Sequence, residues 1–511
     1  MARLTVVVGF MGAGKTTLAR ELAAHRRVDH VDTDALLVQR FGRSIEQVFD
    51  TEGEAAFRAA EEEVVVAVLE RAGDADMVVS LGGGSVLSPR VRAALAGHTT
   101  ILVDVPVDVA WERAAGRNRP LARDREGFAG LHAERHALYE SVADAYLPQT
   151  DIGVVVRADA ALRALADAPP GTRMAWGHSA GGEYPVYVGR GVLVMAVPGQ
   201  EGRAFGVTDS AVGEHHLGRL ARLSGVVEIP PGEEHKTLQT AERVWRAMAA
   251  QGVTRADHLI ALGGGVVGDL AGFCASAYQR GMPVVQAPTT VVSQVDSAYG
   301  GKTGVDLPEA KNYVGAYHQP AAVLADTLTL ATLPAAEHAA GYAEVLKTAL
   351  IAGGPLWERL AGGAPVDDDV ILACARTKLA VVAADERDGG RRQVLNLGHT
   401  VGHALETTLG YGTLRHGEAV GLGLLAALRL SGQSDLRGQV EALLAEHGLP
   451  TRLDPAMDVD PDAIVAATRM DKKRTSTART PYVLVRAPGD VVHGQDVADD
   501  DVALAVAELR P

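Results

Sequence analysis

Two groups of residues in this chain have the types and the spacing that chemistry requires. The first group reads G-F-M-G-A-G-K-T at residues 9–16, directly after an apolar run at Leu4–Val8. Glycines at these positions let backbone N–H groups turn towards a phosphate, and the positive end of the following helix adds to the attraction. Lys15 is placed to reach the terminal phosphates of a nucleotide, and Thr16 to offer its hydroxyl to Mg²⁺. The first group therefore predicts a nucleotide-phosphate cradle.

The second group lies far along the chain and carries metal-binding residue types. Residues 396–406 read N-L-G-H-T-V-G-H-A-L-E, and H-G-E follows at residues 416–418. A catalytic zinc ion usually takes three nitrogen or oxygen ligands and leaves one position open for substrate. His399 and His403 are four residues apart and share a helix face, so spacing alone nominates both. The candidate ligands are Glu344, His399, His403 and His416. The chain is therefore predicted to hold two separate active sites.

Residues that follow the phosphate cradle have the character of a phosphoryl-acceptor site. The motif D-T-D at residues 32–34 closes the next predicted strand. One of its carboxylates could help to hold Mg²⁺ and the other could accept a hydroxyl proton, although the pair could equally cap a helix. A glycine triplet follows at residues 82–84, and arginines stand at positions 58, 119 and 135.

Across essentially their whole length, the first 155 residues resemble a shikimate kinase. The resemblance implies that Asp34 activates the shikimate hydroxyl and that Asp32 lies with Thr16 on the Mg²⁺ side. It implies that Arg58 and Arg135 grip the shikimate carboxylate, that Gly83 is a backbone donor to the substrate, and that Arg119 closes over the phosphates. The residues implied to bind ATP are Gly12, Ala13, Gly14, Lys15, Thr16 and Thr17, and those implied to act in catalysis are Lys15, Asp34 and Arg119. These roles agree with the planar guanidinium fork, which suits a small carboxylate.

A possible dinucleotide site begins at the sequence G-G-G-V-V-G of residues 263–268, which follows the predicted strand Leu259–Leu262. This fits the glycine fingerprint of nucleotide-binding folds, but the acid expected about 20 residues further on is missing. Asp209, at the end of an earlier strand, could bind a ribose instead. Glu233 and Lys236 could then flank the adenosine half.

The region from about residue 184 to residue 490 resembles 3-dehydroquinate synthase. It carries, in family order, G-G-G-V-V-G-D, Q-V-D-S, G-G-K, K-N, G-Y-A-E-V-L-K, N-L-G-H-T-V-G-H-A-L-E, H-G-E and D-K-K. The resemblance implies Zn²⁺ or Co²⁺ on Glu344, His399 and His416, and it leaves His403 to substrate contacts and proton handling.

The same resemblance assigns the residues around the cofactor and the substrate. Those implied to contact NAD⁺ are Asp209, Glu233, Lys236, Gly263, Gly264, Gly265, Asp269, Thr289, Thr290, Asp296, Lys302 and Lys311. Those implied to surround the substrate are Lys302, Asn312, Lys347, Lys378, Arg392, Asn396 and Lys472, and the catalytic residues among the implied set are Lys302, Lys347, Asn396 and His403. Arg280 matches an arginine that reaches the substrate phosphate from the neighbouring subunit, which implies a homodimer.

Together the resemblances imply a bifunctional enzyme of aromatic amino acid biosynthesis. One half would phosphorylate shikimate with ATP, and the other would convert 3-deoxy-arabino-heptulosonate 7-phosphate into 3-dehydroquinate with release of phosphate. Three alternatives remain open at this point. The first half could be a non-catalytic nucleotide-binding module, and the second could be a metal-dependent alcohol dehydrogenase or a 2-deoxy-scyllo-inosose synthase.

The elements that must position these sites follow an α/β pattern. Strands are predicted at Leu4–Val8, Met77–Leu81, Thr100–Val103, Ile152–Val156, Pro185–Val188, Leu193–Val197, Ala204–Thr208 and Leu259–Leu262. Predicted helices such as Lys15–Ala24 and Glu54–Arg71 alternate with them, which is typical of a parallel sheet. Beyond Leu333 the pattern becomes helical. We expect a P-loop kinase domain at 1–157, a linker at 158–183, an NAD-binding α/β domain at 184–328 and a mainly helical metal and substrate domain at 329–511.

Composition narrows the class of partner. The 511 residues are 47% hydrophobic and 22% charged, which is ordinary for a globular protein, and the net charge is 49 − 64 = −15. This charge argues against nucleic acid or an anionic membrane as a partner. The only two cysteines cannot form a disulfide framework, and the N-terminus shows no signal-peptide pattern. A soluble cytoplasmic protein that acts on small molecules is therefore expected.

Overall fold

The computed structural model describes residues 4–71, 76–115, 124–148, 151–220, 222–410, 412–457, 459–470 and 481–510. The chain divides into two compact units. The first comprises Met1–Trp176 with Val197–Gly199, and the second comprises Gly177–Ala196 with Gln200–Pro511.

The first unit is a parallel sheet surrounded by helices. Its strands are β1 Thr5–Val8, β2 Asp29–Asp32, β3 Met77–Ser80, β4 Thr99–Asp104, β5 Ala145–Pro148 and β6 Arg173–Ser179, of which residues up to Trp176 belong to this unit. Its helices are α1 Lys15–Arg26, α2 Thr33–Phe41, α3 Ile45–Glu70, α4 Pro89–Leu95, α5 Val107–Ala114, α6 Arg125–Val142, α7 Val154–Arg157 and α8 Asp159–Ala166. The strand order is β2-β3-β1-β4-β5-β6, and the paired strands run parallel. Parallel strands place their carboxyl ends on one edge, where α/β proteins bind ligands.

Six strands form the sheet region of the second unit: β7 Gly182–Gly189, β8 Ala204–Asp209, β9 Leu223–Ile229, β10 His258–Gly263, β11 Val284–Pro288 and β14 Ala322–Asp326. They pair in parallel in the order β7-β14-β11-β10-β8-β9. Helices α9 Ser210–His216, α10 Leu238–Ala250 and α11 Gly265–Ala277 alternate with them, and β12 Lys302–Leu307 and β13 Ala310–Tyr317 form an antiparallel hairpin. A buried apolar core that includes Phe205, Val244 and Leu270 lies between this sheet and its helices.

The remainder of the second unit is mainly helical. The helices are α12 Ala335–Ala352, α13 Gly354–Ala361, α14 Asp368–Ala384, α15 His399–Leu409, α16 His416–Leu430, α17 Ser434–Glu446, α18 Pro461–Met470 and α19 Asp499–Ala507. The antiparallel strands β15 Tyr482–Ala487 and β16 Asp490–Gln495 stand before the last helix. Helix α12 is buried from Ala340 to Ile351 and helix α16 from Ala419 to Leu428, which explains the absence of a clear polar face in these stretches.

Two predicted strands are wrong. The run Ile152–Val156 is not a strand: Val154–Arg157 forms the short helix α7, and the strand of this region is β5, further upstream. The run Leu193–Val197 is not a strand either, because Val192–Val194 forms a turn of 3₁₀-helix. Short apolar runs fit a buried helical turn as well as a strand, so periodicity alone cannot separate the two.

Secondary structure occupies much of the segment 158–183 that the composition predicts to be a linker. Helix α8 and strand β6 both fall within it. Among the described residues, no helix combines the length and the apolar character needed to cross a lipid bilayer.

Candidate active sites

The glycine loop of the first unit lies between β1 and α1, as the phosphate cradle requires. Gly12 and Gly14 have φ angles of 83° and 88°, in the left-handed region that favours glycine. A Cβ atom on Gly12 would also overlap the carbonyl oxygen of Ala110. Lys15 begins α1 and donates from Nζ to the carbonyl of Phe10 at 3.1 Å. The loop therefore has the backbone conformation that turns N–H groups inward.

The aspartates of the D-T-D motif lie beside this loop and next to the glycine triplet. Thr16 donates from Oγ1 to Oδ2 of Asp32 at 2.8 Å, so the two residues assigned to Mg²⁺ are adjacent. The other oxygen of Asp32 accepts from the backbone N–H of Ala35, which makes Asp32 the cap of α2 as well. Asp34 lies against the triplet, because a Cβ atom on Gly82 would come within 2.5 Å of its Oδ1. Both readings of the motif, as a cap and as a Mg²⁺-side group, thus fit the same geometry.

Two of the predicted substrate arginines flank the glycine triplet. The guanidinium of Arg58 lies against Gly84 and is paired with Glu61 at 2.6 Å. Arg135 is 4% exposed and donates from Nη1 to the carbonyl of Gly83 at 3.3 Å. Its Nε has no hydrogen-bond partner among the described residues. A buried guanidinium N–H without a partner fits an anion-binding position.

A tyrosine that the sequence analysis does not assign to the substrate also contacts Gly83. The hydroxyl of Tyr139, in the last turn of α6, also donates to the Gly83 carbonyl, at 2.5 Å. Burial raises the pKa of Tyr139 above its ordinary value, so the hydroxyl stays protonated and remains a donor. Arg119 lies outside the described residues.

The predicted metal ligands of the second unit come together from three helices. Glu344 on α12 is 1% exposed, and its Oε1 lies 3.4 Å from Nε2 of His399 and 3.3 Å from Nε2 of His416. In a tetrahedral zinc site with bonds of about 2.0–2.1 Å, neighbouring ligand atoms stand roughly 3.3 Å apart. The observed separations match this value, and the donors are nitrogen and oxygen atoms. These three residues therefore fit a zinc-type cation.

His403 also lies close to the predicted metal ligands. Its position fits a metal ligand as well as a residue that contacts the substrate. Its ring centroid is 5.2 Å from that of His399 and 5.9 Å from that of His416. Ligand atoms of the three histidines all lie within 4.8 Å of one another. Glu344 and the three histidines thus gather around one position, and both three-ligand sets fit it.

A row of buried charges of alternating sign extends from the metal ligands. Lys347 lies 2.5 Å from Glu344 and 3.5 Å from Asp296, and Lys378 lies 2.5 Å from the other oxygen of Asp296. Burial works against ionisation of Asp296, but the two ammonium groups outweigh it and hold its pKa below the ordinary value. Burial lowers the pKa of Lys378. The row places two predicted substrate-binding lysines beside the metal ligands.

The predicted cofactor residues gather where β10 ends and α11 begins. Gly264 precedes α11, whose first turn has no side-chain cap. Thr290 lies next to Gly264, and the Oγ1 atom of the neighbouring Thr289 is buried without a hydrogen-bond partner among the described residues. An uncapped helix N-terminus attracts a pyrophosphate. This cradle fits a dinucleotide.

Further predicted cofactor residues form an ion cluster near this cradle. Lys236 is 3% exposed and lies 2.7 Å from Glu233 and 3.4 Å from Asp269. Burial raises the pKa of Asp269 to about 6. Asp209, at the end of β8, accepts from the backbone N–H of Val212 and thereby caps α9.

The remaining predicted residues lie on loops and on the hairpin. Lys302 begins β12 and pairs with Asp388 at 2.6 Å, while buried Arg392 donates from Nη2 to the carbonyl of Gly300 at 3.0 Å. Asn312 has a left-handed φ of 53°. Asn396 ends a short helical turn before His399, and Lys311 pairs with Glu406 at 3.4 Å. Arg280 is exposed after α11. Lys472 lies outside the described residues.

The prediction from sequence missed three acidic residues that touch the candidate sites. Glu61 pairs with Arg58, Asp388 pairs with Lys302, and Glu406 contacts His416. Helical spacing could have revealed Glu61, which follows Arg58 by three residues. Nothing in the local sequence indicates the partner of Asp388, because 86 residues separate it from Lys302.

Comparison with known proteins assigns both parts of the chain. The family model described as shikimate kinase matches residues 11–157, and the models for the N-terminal and C-terminal domains of 3-dehydroquinate synthase match residues 226–340 and 341–474. The chain is 44% identical over 346 residues to 3-dehydroquinate synthase of Caulobacter vibrioides, covering 61% of this chain and 92% of the relative. It is 45% identical over 330 residues to 3-dehydroquinate synthase of Halorhodospira halophila, covering 60% and 92%.

A solved structure supports the fold of the second unit. The 2-epi-5-epi-valiolone synthase of Streptomyces hygroscopicus subsp. jinggangensis, determined with NAD⁺ and Zn²⁺ bound, shares 28% sequence identity with this chain. The TM-score is 0.57, and the match covers 64% of this chain and 96% of that structure.

Fold and sites define a fusion of two enzymes, a P-loop kinase of a small molecule followed by a cyclising synthase with a dinucleotide and metal site. The chain belongs to the 3-dehydroquinate synthase family, and a shikimate kinase domain precedes its synthase part. The predicted fold class and the predicted pair of families are thereby confirmed.

Proposed function

We propose that the first unit transfers the γ-phosphoryl group of ATP to the 3-hydroxyl of shikimate. The observation that carries this proposal is the arrangement around the glycine triplet, where Asp34 and two arginines lie against three consecutive glycines. Asp34 accepts the proton of the attacking hydroxyl, and Arg58 and Arg135 hold the substrate carboxylate. Lys15 and Arg119 balance the charge on the phosphates. Thr16 and Asp32 would hold Mg²⁺, which neutralises charge on the transferred group.

The second unit converts 3-deoxy-arabino-heptulosonate 7-phosphate into 3-dehydroquinate and phosphate. The close approach of Glu344 to both His399 and His416 carries this part of the proposal. When bound, the divalent cation on these ligands, Zn²⁺ or Co²⁺, supplies Lewis acidity at substrate hydroxyls, and NAD⁺ supplies a reversible hydride acceptor. Because the heptulosonate phosphate and its two products have the same overall oxidation state, a bound NAD⁺ would be unchanged after each turnover.

The residues of the chain position the heptulosonate around this centre. Lys347 places positive charge beside Glu344 and Lys378 places it beside Asp296, and both lysines orient the carboxylate and hydroxyls of the substrate. His403 moves the proton of a substrate hydroxyl at its imidazole. The other residues assigned to the substrate are Lys302, Asn312, Arg392, Asn396 and Lys472, and the cofactor residues are Asp209, Glu233, Lys236, Gly263, Gly264, Gly265, Asp269, Thr289, Thr290, Asp296 and Lys311.

The synthase part acts as a homodimer in this proposal. Arg280 is exposed in the turn that follows α11, which suits a side chain that reaches the substrate phosphate of a neighbouring subunit. The protein works in the cytoplasm, where ATP, NAD⁺ and both sugar-derived substrates are available. The segments 1–157, 158–183, 184–328 and 329–511 remain the proposed functional division of the chain.

An assay of shikimate-dependent ADP formation tests the kinase. Replacement of Arg135 by Ala is expected to raise the KM for shikimate by about 10- to 100-fold, because charged hydrogen bonds contribute about 1.5–3 kcal/mol each. The KM for ATP should stay nearly constant. Arg90→Ala, at an exposed surface ion pair of the same unit, is the control and should leave both values unchanged. Absence of shikimate-dependent turnover in the native chain would rule out the kinase and favour a non-catalytic module.

The synthase assay follows phosphate release and NADH absorbance together. We expect phosphate from the heptulosonate phosphate with no net NADH. Steady accumulation of NADH would instead identify an alcohol dehydrogenase. Turnover of glucose 6-phosphate in place of the heptulosonate would identify a 2-deoxy-scyllo-inosose synthase.

A further inference from the structure

Glu406 is a buried carboxylate next to the candidate metal ligands, and the proposed reaction assigns no task to it. It is 5% exposed and stands on α15, seven residues after His399 and three after His403. Spacings of three, four and seven residues put side chains on the same face of a helix. Glu406 therefore shares the helix face of the histidines that gather around the cation position.

Both carboxylate oxygens of Glu406 are engaged. Oε2 lies 3.3 Å from Nδ1 of His416, and Oε1 lies 3.4 Å from Nζ of Lys311 on the hairpin strand β13. A carboxylate buried without such partners would be costly. The lysine balances its charge, so that Glu406 can stay ionised while it faces His416.

Each ring nitrogen of His416 faces a different carboxylate. Nε2 of His416 points to Oε1 of Glu344, at 3.3 Å, while Nδ1 points to Glu406. A neutral imidazole has one donor and one acceptor nitrogen. With a cation on Nε2, the hydrogen of the ring lies on Nδ1, where ionised Glu406 accepts it.

His399 shows the same arrangement with a weaker partner. Its Nδ1 lies 3.1 Å from the backbone carbonyl of Leu397, so its Nε2 is likewise directed to Glu344. A carboxylate forms a stronger hydrogen bond to an imidazole N–H than a neutral carbonyl does, and it makes the imidazole a better ligand.

We propose that Glu406 is a positioning residue that orients His416 for the catalytic cation, and that Lys311 secures Glu406 from the hairpin. The inference rests on the proposed metal-dependent synthase and deepens it. It also connects Lys311 to the metal ligand His416 through Glu406, in addition to the assignment of Lys311 to NAD⁺.

The test measures Zn²⁺ affinity of the full chain by competition with a chromophoric chelator, in the absence of NAD⁺ and substrate. Glu406→Gln keeps the shape of the side chain and removes its charge, and we expect Zn²⁺ binding to weaken by about 10- to 100-fold, the range measured for such outer partners of metal ligands. The control is Glu418→Gln. Glu418 pairs with exposed Arg415 at the start of α16, the helix that also carries His416, and its replacement should leave Zn²⁺ affinity unchanged.

A second variant and a second readout separate positioning from a purely structural role. Lys311→Met keeps Glu406 but removes its anchor, and a smaller loss of affinity, about 3- to 10-fold, is expected. The visible absorption bands of the Co²⁺-substituted protein should change in Glu406→Gln, since they report the ligand field. The bands can be recorded on the folded fraction of the variant even where part of the preparation is unfolded.

The outcomes distinguish this inference from the function on which it rests. Native-like Zn²⁺ affinity and native Co²⁺ bands in both variants would overturn the positioning role alone. A wild-type chain that binds neither Zn²⁺ nor Co²⁺ would overturn the metal-dependent synthase itself, and the inference with it.

Discussion

At the scale of single residues, the second unit buries several ionised groups by alternating their signs. Glu344, Lys347, Asp296 and Lys378 form a row in which each charge touches an opposite one. Such a row is stable only as a whole, because removal of one member leaves a neighbour buried and unpaired. Binding of an anionic substrate or of a cation would also change the balance of charge within such a row.

Among the four residues of this row, Lys347 is the one whose replacement should lower the stability of the protein most. In Lys347→Met both Glu344 and Asp296 lose a partner, and we expect the free energy of unfolding to fall by about 3–5 kcal/mol in the metal-free protein. Urea unfolding followed by circular dichroism provides the measurement. Lys302→Met is the matched control, because Lys302 is 49% exposed in its pair with Asp388 and such pairs contribute about 0–1 kcal/mol. Equal losses in the two variants would contradict the account.

Two aspartates of the second unit should respond to pH in opposite directions. Burial raises the pKa of Asp269 from 3.8 to about 6, so this group binds more protons in the folded state and weakens the fold as the pH rises from about 4 to 6. Hydrogen bonds from Arg203 lower the pKa of Asp257 to about 2, so its stabilising contribution is present above pH 4 and is lost as the pH falls towards 2.

Thermal melts at several pH values check this difference. Relative to the wild type, Asp269→Asn should gain stability between pH 4 and pH 7. Asp257→Asn should lose most at pH 7 and progressively less below pH 4. A parallel response of the two variants would show that the environment of Asp269 has been misread.

At the scale of elements, glycines set the distance between the helices that carry the metal ligands. A Cβ atom on Gly423 of α16 would overlap the carbonyl oxygen of Gly398, the residue before α15. A Cβ atom on Gly417 would likewise overlap the carbonyl oxygen of Ala340 on α12. Because these are backbone contacts, no side-chain rotation can relieve them. The three ligand-bearing helices are therefore held at a spacing that only glycine permits at these points.

Substitution of Gly423 by Ala should separate α15 from α16. We expect a loss of about 1–3 kcal/mol in the free energy of unfolding, as for other overpacked positions, together with weaker Zn²⁺ binding. Gly438 provides the control, since it lies within α17 with no heavy atom within 4 Å of an added Cβ. Gly438→Ala should stabilise the protein by about 0.5–1 kcal/mol through helix propensity. Urea unfolding and a Zn²⁺ competition titration give both quantities, and tolerance of Ala at position 423 would contradict this account of the packing.

The sequence predicts the elements that have strong local signals, and it fails where tertiary contacts decide. Glycine spacing and the apolar run at Leu4–Val8 suffice to place the phosphate loop, and the helical pattern beyond Leu333 agrees with the long helix α12 that carries Glu344. The run Ile152–Val156 wrongly predicts a strand because its four valine and isoleucine residues favour a strand locally. For the sites, motifs brought Glu344, His399 and His416 to attention, but the contacts of Glu406 and Asp388 depend on pairings across the fold that no local pattern records.

At the scale of the whole molecule, the chain joins two enzymes whose sites are built within separate compact units. The phosphate loop and its arginines belong to the first unit, and the predicted ligands and cofactor cradle belong to the second. The two proposed reactions are not consecutive steps, since the product of one is not the substrate of the other. We therefore expect each activity to survive loss of the other.

The most direct test is a paired assay of the intact chain and two single-site variants, measuring shikimate-dependent ADP formation and heptulosonate-dependent phosphate release on each preparation. The intact chain should show both activities. Lys15→Ala should lose the first by at least about 100-fold and keep the second, because its amine stabilises only the transferred phosphoryl group. His399→Ala should lose the second and keep the first. Loss of both activities in either variant, or absence of one activity from the intact chain, would contradict two independent active sites in one polypeptide.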